Sequence, residues 1–182
     1  MTELATLIPS PSDALSQLKK KKLVEINRSK IFRKAKPTEN KFSIEKPLTL
    51  TPDQNKIVQT LSQAIEKNLY HTFLLQGVTG SGKTEIYIRC IEKTLTLGRQ
   101  AIVMVPEISL TPQNVTLFRC RFGNRVAILH SGLSNAGRYL EWKNIFDGKA
   151  SIAVGARSAV FAPFKNLGLI IIDEEHDPSY KQ

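Results

Sequence analysis

Phe73-Leu74-Leu75-Gln76-Gly77-Val78-Thr79-Gly80-Ser81-Gly82-Lys83-Thr84-Glu85 is the stretch on which the fold turns. Its centre, Gly77 to Thr84, matches G-x-x-x-x-G-K-[ST] at every fixed position. Phe73–Leu75 predict a strand entering the loop, and Glu85–Leu97 a helix leaving it. Glycines at 77, 80 and 82 let the backbone curl so that successive N–H groups face inward, toward phosphate oxygens. The positive end of the helix dipole strengthens that field. The candidate cradle for ATP is therefore Gly77, Val78, Thr79, Gly80, Ser81, Gly82, Lys83, Thr84 and Glu85. Lys83 supplies a mobile point charge for the β- and γ-phosphates, and the Thr84 hydroxyl is a candidate Mg²⁺ ligand. The competing reading is a glycine-rich turn that happens to contain Lys-Thr, and the flanking strand and helix speak against it.

Some ninety residues on, Leu169-Ile170-Ile171-Ile172 runs straight into Asp173-Glu174-Glu175-His176. An apolar strand ending in acids is where an open α/β sheet places a metal-binding carboxylate. Asp173 is the candidate to hold Mg²⁺ through its water shell, opposite Thr84. Glu174 is the candidate to polarise a water attacking the γ-phosphate. Alone, the cluster reads as a solvated acidic turn; together with the phosphate loop it reads as the second half of a site. His176 stays open between a relay of nucleotide state and a side chain that merely faces solvent.

Working outward, short apolar runs recur at Phe73–Leu75, Ala101–Val105, Val126–Leu129, Ile152–Val154 and Leu169–Ile172. Stretches with helical spacing, 52–69, 83–97, 112–122 and 136–147, separate them. Runs apolar at every position suit strands buried on both faces of a parallel sheet. The alternation predicts an α/β P-loop fold, a parallel sheet with flanking helices and right-handed crossovers.

The chain has 182 residues and a formal charge of +10, which favours a polyanionic partner, nucleic acid or an anionic membrane. No apolar run approaches the ~20 residues a membrane span needs, and no basic amphipathic helix carries a large aromatic face. Nucleic acid is the better fit. The opening residues carry acids where a signal peptide carries bases. Cys90 and Cys120 form no C-x-x-C pair, so neither a disulfide framework nor a zinc site is written here, and both read as buried, inert thiols of a reduced cytosolic protein. Residues 1–46 hold 11 Lys/Arg against 5 Asp/Glu, more than half of the excess charge. Within them Ser12-Asp13 is expected to cap a helix with Ala14, Leu15 and Leu18 on one face, ending in Lys19–Lys22. Leu23–Ile26 reads as a short strand. Helix then basic strand is the back half of a winged helix. The expected organisation is a partial winged-helix-like basic segment over 1–34, a linker over 35–47 and an ATP-binding lobe over 48–182.

The acids Asp173–His176, taken with the phosphate loop, resemble superfamily 2 helicases. Val105-Pro106-Glu107-Ile108-Ser109-Leu110-Thr111-Pro112-Gln113, Leu129–Ser134, Gly155–Pro163 and Asn166–Gln182 sharpen this. Together they are similar to the primosomal replication-restart helicases, closely over about 48–182 and more loosely over 10–46, where that family has its winged helix. The resemblance implies a RecA-like first motor lobe of a bacterial, cytoplasmic, ATP-dependent 3′-to-5′ DNA helicase. Its cofactors would be ATP and Mg²⁺, with Lys83, Asp173 and Glu174 catalytic. Its partners would be DNA (forks, D-loops and single strands), primosome proteins and single-strand-binding protein, with no membrane. By the same resemblance Gln54 would read the adenine edge, its amide both donating and accepting. Pro106, Glu107, Ser109, Thr111, Gly155, Arg157 and Ser158 would line the DNA backbone.

Features of the family that this sequence lacks define further expectations. The Ser-Ala-Thr coupling motif, the second lobe with its arginine and the zinc-binding cysteines are not written here. The lobe is thus expected to be truncated after 182, with zinc belonging only to the missing downstream region. Loss of such an arginine typically costs about 10³–10⁵ in rate, so turnover by this stretch alone would be weak. The alternatives are another superfamily 2 DNA translocase, or a non-catalytic nucleotide- and DNA-binding fragment.

Overall fold

The computed structural model describes residues 11–24, 48–78 and 80–181. The chain divides into two compact units, residues 1–38 and 39–182. In the first, helix α1 spans Pro11–Lys20. Pro11 opens it, so Ser12 and Asp13 lie in the first turn and not at the cap expected for them. Proline needs no N–H partner there, which is why the helix can begin one residue earlier. At the other end the Leu23 N–H donates to the Leu18 carbonyl and the Lys22 N–H to the Lys19 carbonyl, both at 3.0 Å. These are the paired bonds of a Schellman ending, with Lys22 in the left-handed position at φ +58°. The expected strand at Leu23–Ile26 does not begin at Leu23 or Val24, which belong to no strand, and its other residues lie outside the described ones.

In the second unit, α2 (Pro52–Lys67) starts from a full capping box. The Thr51 side chain accepts from the Gln54 N–H, and the Gln54 side chain accepts from the Thr51 N–H. Helix α3 follows (Lys83–Thr96), then β1 (Gln100–Met104), α4 (Pro112–Phe122), β2 (Val126–Leu129), α5 (Asn135–Phe146), β3 (Ile152–Gly155) and β4 (Leu167–Ile172). The four strands form one parallel sheet in the order β2-β3-β1-β4.

Strand alternation sorts the core into two layers. Ala101, Val103 and Val105 join Val126, Ile128, Ile152 and Val154 against Ile88 and Ile91 of α3 and Phe118 and Phe122 of α4. Ile102, Met104, Ala127, Leu129 and Ala153 pack on the opposite face with Ile145 of α5, Ala150 and Ala159. Each fully buried isoleucine here contributes about 1.5–3 kcal/mol. Both faces of β1, β2 and β3 are therefore covered, which is why those runs are apolar at every position.

Two sequence expectations are corrected. Phe73–Leu75 form no strand: they pair with nothing in the sheet, and Leu74 is 78% exposed. The residues have strand propensity, but a strand exists only where a neighbour takes up its N–H and C=O groups. Nor is β4 buried on both faces. Leu169 and Ile171 pack into the first layer, whereas Leu167, Ile170 and Ile172 are exposed by 42–47%. β4 is an edge strand, and among the described residues no helix covers its second face.

Because the strands are parallel, their carboxyl ends share one border of the sheet. That border carries Pro106, His130, Ala156 and Asp173, so topology draws the acids and the loops after β1, β2 and β3 to it.

Candidate nucleotide and nucleic-acid site

The phosphate loop closes on the start of α3. Gly80 and Gly82 take φ of +80° and +84°, in the left-handed region. Gly82 is the N-cap of α3, and its left-handed φ is what requires glycine; a Cβ there would also displace the Gln54 amide. The Lys83 ammonium donates to the Gly77 carbonyl at 2.7 Å and to the Val78 carbonyl at 3.3 Å, bridging the loop. The Ser81 N–H donates to the Val78 carbonyl at 3.1 Å. Thr79 lies outside the described residues. Thr84 is exposed, whereas Glu85 turns along the helix to Arg89 at 2.9 Å. The helix expected after the loop is present, and the strand expected before it is not.

Gln54 is committed at both ends of its amide. Its oxygen accepts from Thr51, and its nitrogen donates to the Ser81 carbonyl at 3.0 Å. In this geometry the side chain ties α2 to the phosphate loop, and contact with an adenine edge would require one of these bonds to be exchanged.

The acid cluster sits in a turn held at several points. The Asp173 N–H donates to the Met104 carbonyl at 2.8 Å, continuing the β4–β1 ladder by one residue. The Asp177 N–H donates to the Glu174 carbonyl, and the Asp177 carboxylate accepts from the Ser179 N–H, each at 2.8 Å. The Ser179 bonds hold the Asp177 carboxyl below its usual range. The Tyr180 hydroxyl donates to the Asp173 carbonyl at 3.1 Å, and burial foremost pushes that phenol up to about 12. Glu174 adopts φ +47°, a left-handed conformation that costs a non-glycine residue about 1–2 kcal/mol. His176 is 76% exposed, 3.6 Å from Glu174 and 3.9 Å from Glu175.

Tyr87, which the sequence reading passed over, joins the two halves. It lies on α3 three residues after Thr84, on the same helix face, and its hydroxyl donates to Asp173 Oδ1 at 3.1 Å. Burial first, and the Asp173 charge second, raise the phenol well above its ordinary value. The signal lay in the helical period, since the residue at i+3 from a phosphate-loop threonine must look the same way.

A phosphate–Mg²⁺ group fits the donors present: left-handed glycines that curl the loop, the Lys83 ammonium, the Thr84 hydroxyl and the Asp173 carboxylate. Among the described residues no cluster of three His, Cys, Asp or Glu can hold a metal by itself. A cation here would draw most of its shell from phosphate and water, which is the habit of Mg²⁺.

The residues expected along DNA divide. Pro106 and Gly155 are buried. A Cβ on Gly155 would overlap the Leu129 carbonyl oxygen, and the Gly155 carbonyl accepts from the Val105 N–H at 2.9 Å. Strand packing alone requires glycine at this position. Glu107 bonds Ser131, accepting from its N–H at 3.3 Å and from its hydroxyl, and thereby links the loops after β1 and β2. These bonds hold the Glu107 carboxyl below its usual range. Thr111 is the N-cap of α4, accepting from the Asn114 N–H at 3.3 Å, and the Ser109 carbonyl accepts from the Asn114 side chain at 2.8 Å. Arg157 and Ser158 are exposed. The thiols differ too: burial pushes Cys90 up to about 11, while Cys120 is only partly buried and lines a groove on α4 with Gln113 and Thr116.

Comparison with known proteins agrees with the motif resemblance. Replication restart protein PriA of Bacillus subtilis (strain 168) is 48% identical over 181 residues, spanning 99% of this chain and 22% of that protein. PriA of Synechocystis sp. is 44% identical over 183 residues, covering 100% of this chain and 21% of its own. The chain thus spans about a fifth of the length of the curated relatives it matches. Among solved structures, RecG bound to a three-way DNA junction superposes with a TM-score of 0.64 at 29% identity, over 72% of this chain and 19% of that one. The family model described as DEAD/DEAH box helicase matches residues 51–182, well over half of the sequence, and the chain belongs to that family.

Proposed function

We propose that this chain is the ATP- and DNA-binding first motor lobe of a 3′-to-5′ DNA helicase of replication restart. Helicases of this family use a nucleotide with Mg²⁺ in general. The observation that carries the reading is the hydrogen bond from Tyr87 to Asp173, which brings the phosphate-loop helix and the strand-end acids to one place. The PriA relatives supply the restart assignment, and the RecG neighbour, bound to a DNA junction, supplies the polymer.

In this reading the loop from Gly77 to Thr84, with Glu85 beside it, takes the triphosphate. Lys83 releases the Gly77 and Val78 carbonyls and turns its ammonium to the phosphate oxygens. Thr84 and Asp173 would hold Mg²⁺, which would supply positive charge to offset that of the phosphates. Glu174 orients the attacking water and accepts its proton. Of the candidate DNA residues, Ser109, Thr111, Arg157 and Ser158 keep that role, and Glu107 orders the track through Ser131. The organisation remains a winged-helix-like segment over 1–34, a linker over 35–47 and the lobe over 48–182. Forks, D-loops, primosome proteins and single-strand-binding protein are the partners of the complete protein, in the bacterial cytoplasm. Among the described residues no helix is long and apolar enough to cross a membrane.

DNA-stimulated ATPase of the full-length protein tests this. Lys83→Ala should lower turnover by at least about a hundredfold, the scale of losing one charge-stabilising group in a dry site. Unchanged turnover removes the phosphate-loop assignment.

A further inference from the structure

We infer that Tyr87 is a positioning residue for Asp173, holding one carboxylate oxygen so that the other is presented to Mg²⁺. The inference rests on the proposed nucleotide site. It follows from how completely the rest of Asp173 is held. Its N–H is bound by the Met104 carbonyl and its own carbonyl by the Tyr180 hydroxyl, so the backbone is fixed on both sides. The remaining freedom is rotation of the carboxylate, and the Tyr87 hydroxyl removes it at Oδ1.

The chemistry of the donor suits this task. A phenol, with an ordinary value of about 10, is a neutral donor at physiological pH. It therefore donates without competing for the cation as a second anion would. An Asp173 carboxylate has two oxygens; with Oδ1 accepting from Tyr87, Oδ2 is the one left for a cation or its water shell. Tyr87 also belongs to the helix that carries Thr84, so one rigid element sets the two candidate cation-holding groups at a constant separation.

The bland account is that a half-buried tyrosine needs an acceptor and Asp173 is the nearest. The two accounts differ in what the substitution Tyr87→Phe changes. The test is binding of a fluorescent ATP analogue to the full chain, first in EDTA and then with increasing Mg²⁺. The positioning role predicts that Tyr87→Phe leaves affinity in EDTA within about twofold and raises the Mg²⁺ concentration for half-maximal effect about tenfold, the worth of one hydrogen bond to a charged group. An unchanged or lower Mg²⁺ midpoint overturns the inference, even if the thermal midpoint falls. Tyr87→His keeps a ring and an N–H donor. It should return the midpoint part of the way, and it carries the comparison should the phenylalanine variant not fold. If the wild-type chain binds the analogue under neither condition, the nucleotide site itself fails and takes this inference with it.

Discussion

Glu141 and Glu107 show how single carboxylates in one chain acquire opposite pH signatures. Glu141 lies on α5 with its side chain 22% exposed, and burial raises its carboxyl against the opposing pull of Arg119, 3.9 Å away. Between the ordinary glutamate value and its raised one, the folded state keeps a proton that the unfolded state has lost. Stability from this group is therefore fully present at low pH and declines as pH rises through that window. Glu107 runs the other way, because bonds from Ser131 favour its charged form. Its contribution is present above the ordinary value and is lost as pH falls through its lowered one. Urea midpoints measured from pH 3 to 7 should show Glu141→Gln removing the decline on the rising side and Glu107→Gln removing the loss on the acid side. Identical profiles for wild type and both variants would refute these assignments. Glu174 adds a third kind of residue effect, since its left-handed φ stores strain at the position proposed to orient water.

Elements take their bounds from their ends more than from their middles. Helix α2 has no fully buried residue, so little of its placement comes from core packing. It is held by the Thr51–Gln54 capping box, by the Gln54 bond to Ser81 and by the Arg99 guanidinium, which donates to the Ile65 carbonyl at 2.7 Å. Thr51→Ala should cost about 1 kcal/mol, the usual worth of a polar N-cap, read as a lower urea midpoint at constant m-value. A smaller effect would mean that Gln54 and Arg99 suffice. Helix α4 matches its predicted 112–122 span because Thr111 caps it and Gly123, at φ +60°, ends it, and both signals are local. Phe73–Leu75 carried equally plain local signals and still formed no strand, because pairing depends on a neighbour that propensity does not provide.

At the scale of the whole molecule, charge and apolar surface both point outward to partners. Net charge is +10, and Lys19–Lys22 concentrate it at the end of α1. Replacing those four lysines with glutamine should flatten the dependence of log K on log salt for single-stranded DNA, by up to about 0.7 for each phosphate no longer neutralised. An unaltered slope would assign the run to the helix dipole and the Schellman ending alone. On the second unit, Leu167, Ile170 and Ile172 form an exposed apolar row on an edge strand, a surface that soluble proteins ordinarily cover. The glycine loop before α3, the acid-ended strand and four of the five strands expected in residues 48–182 were legible because each is a local pattern of side-chain period and glycine spacing. The Asp173 partner of Tyr87, the Glu107–Ser131 link and the packing role of Gly155 were not, because each is defined by residues 24–86 positions away or by a strand alongside.

By itself the sequence determined the left-handed glycines of the loop, the strand and helix periods and the acids that end β4, since dihedral preference and hydrophobic alternation act over a few neighbouring residues. Only the tertiary structure decided which strand would be an edge, which glycine yields to a neighbouring backbone and which side chain reaches Asp173. Those outcomes depend on what is brought alongside in space, and chain separation carries no direct record of it.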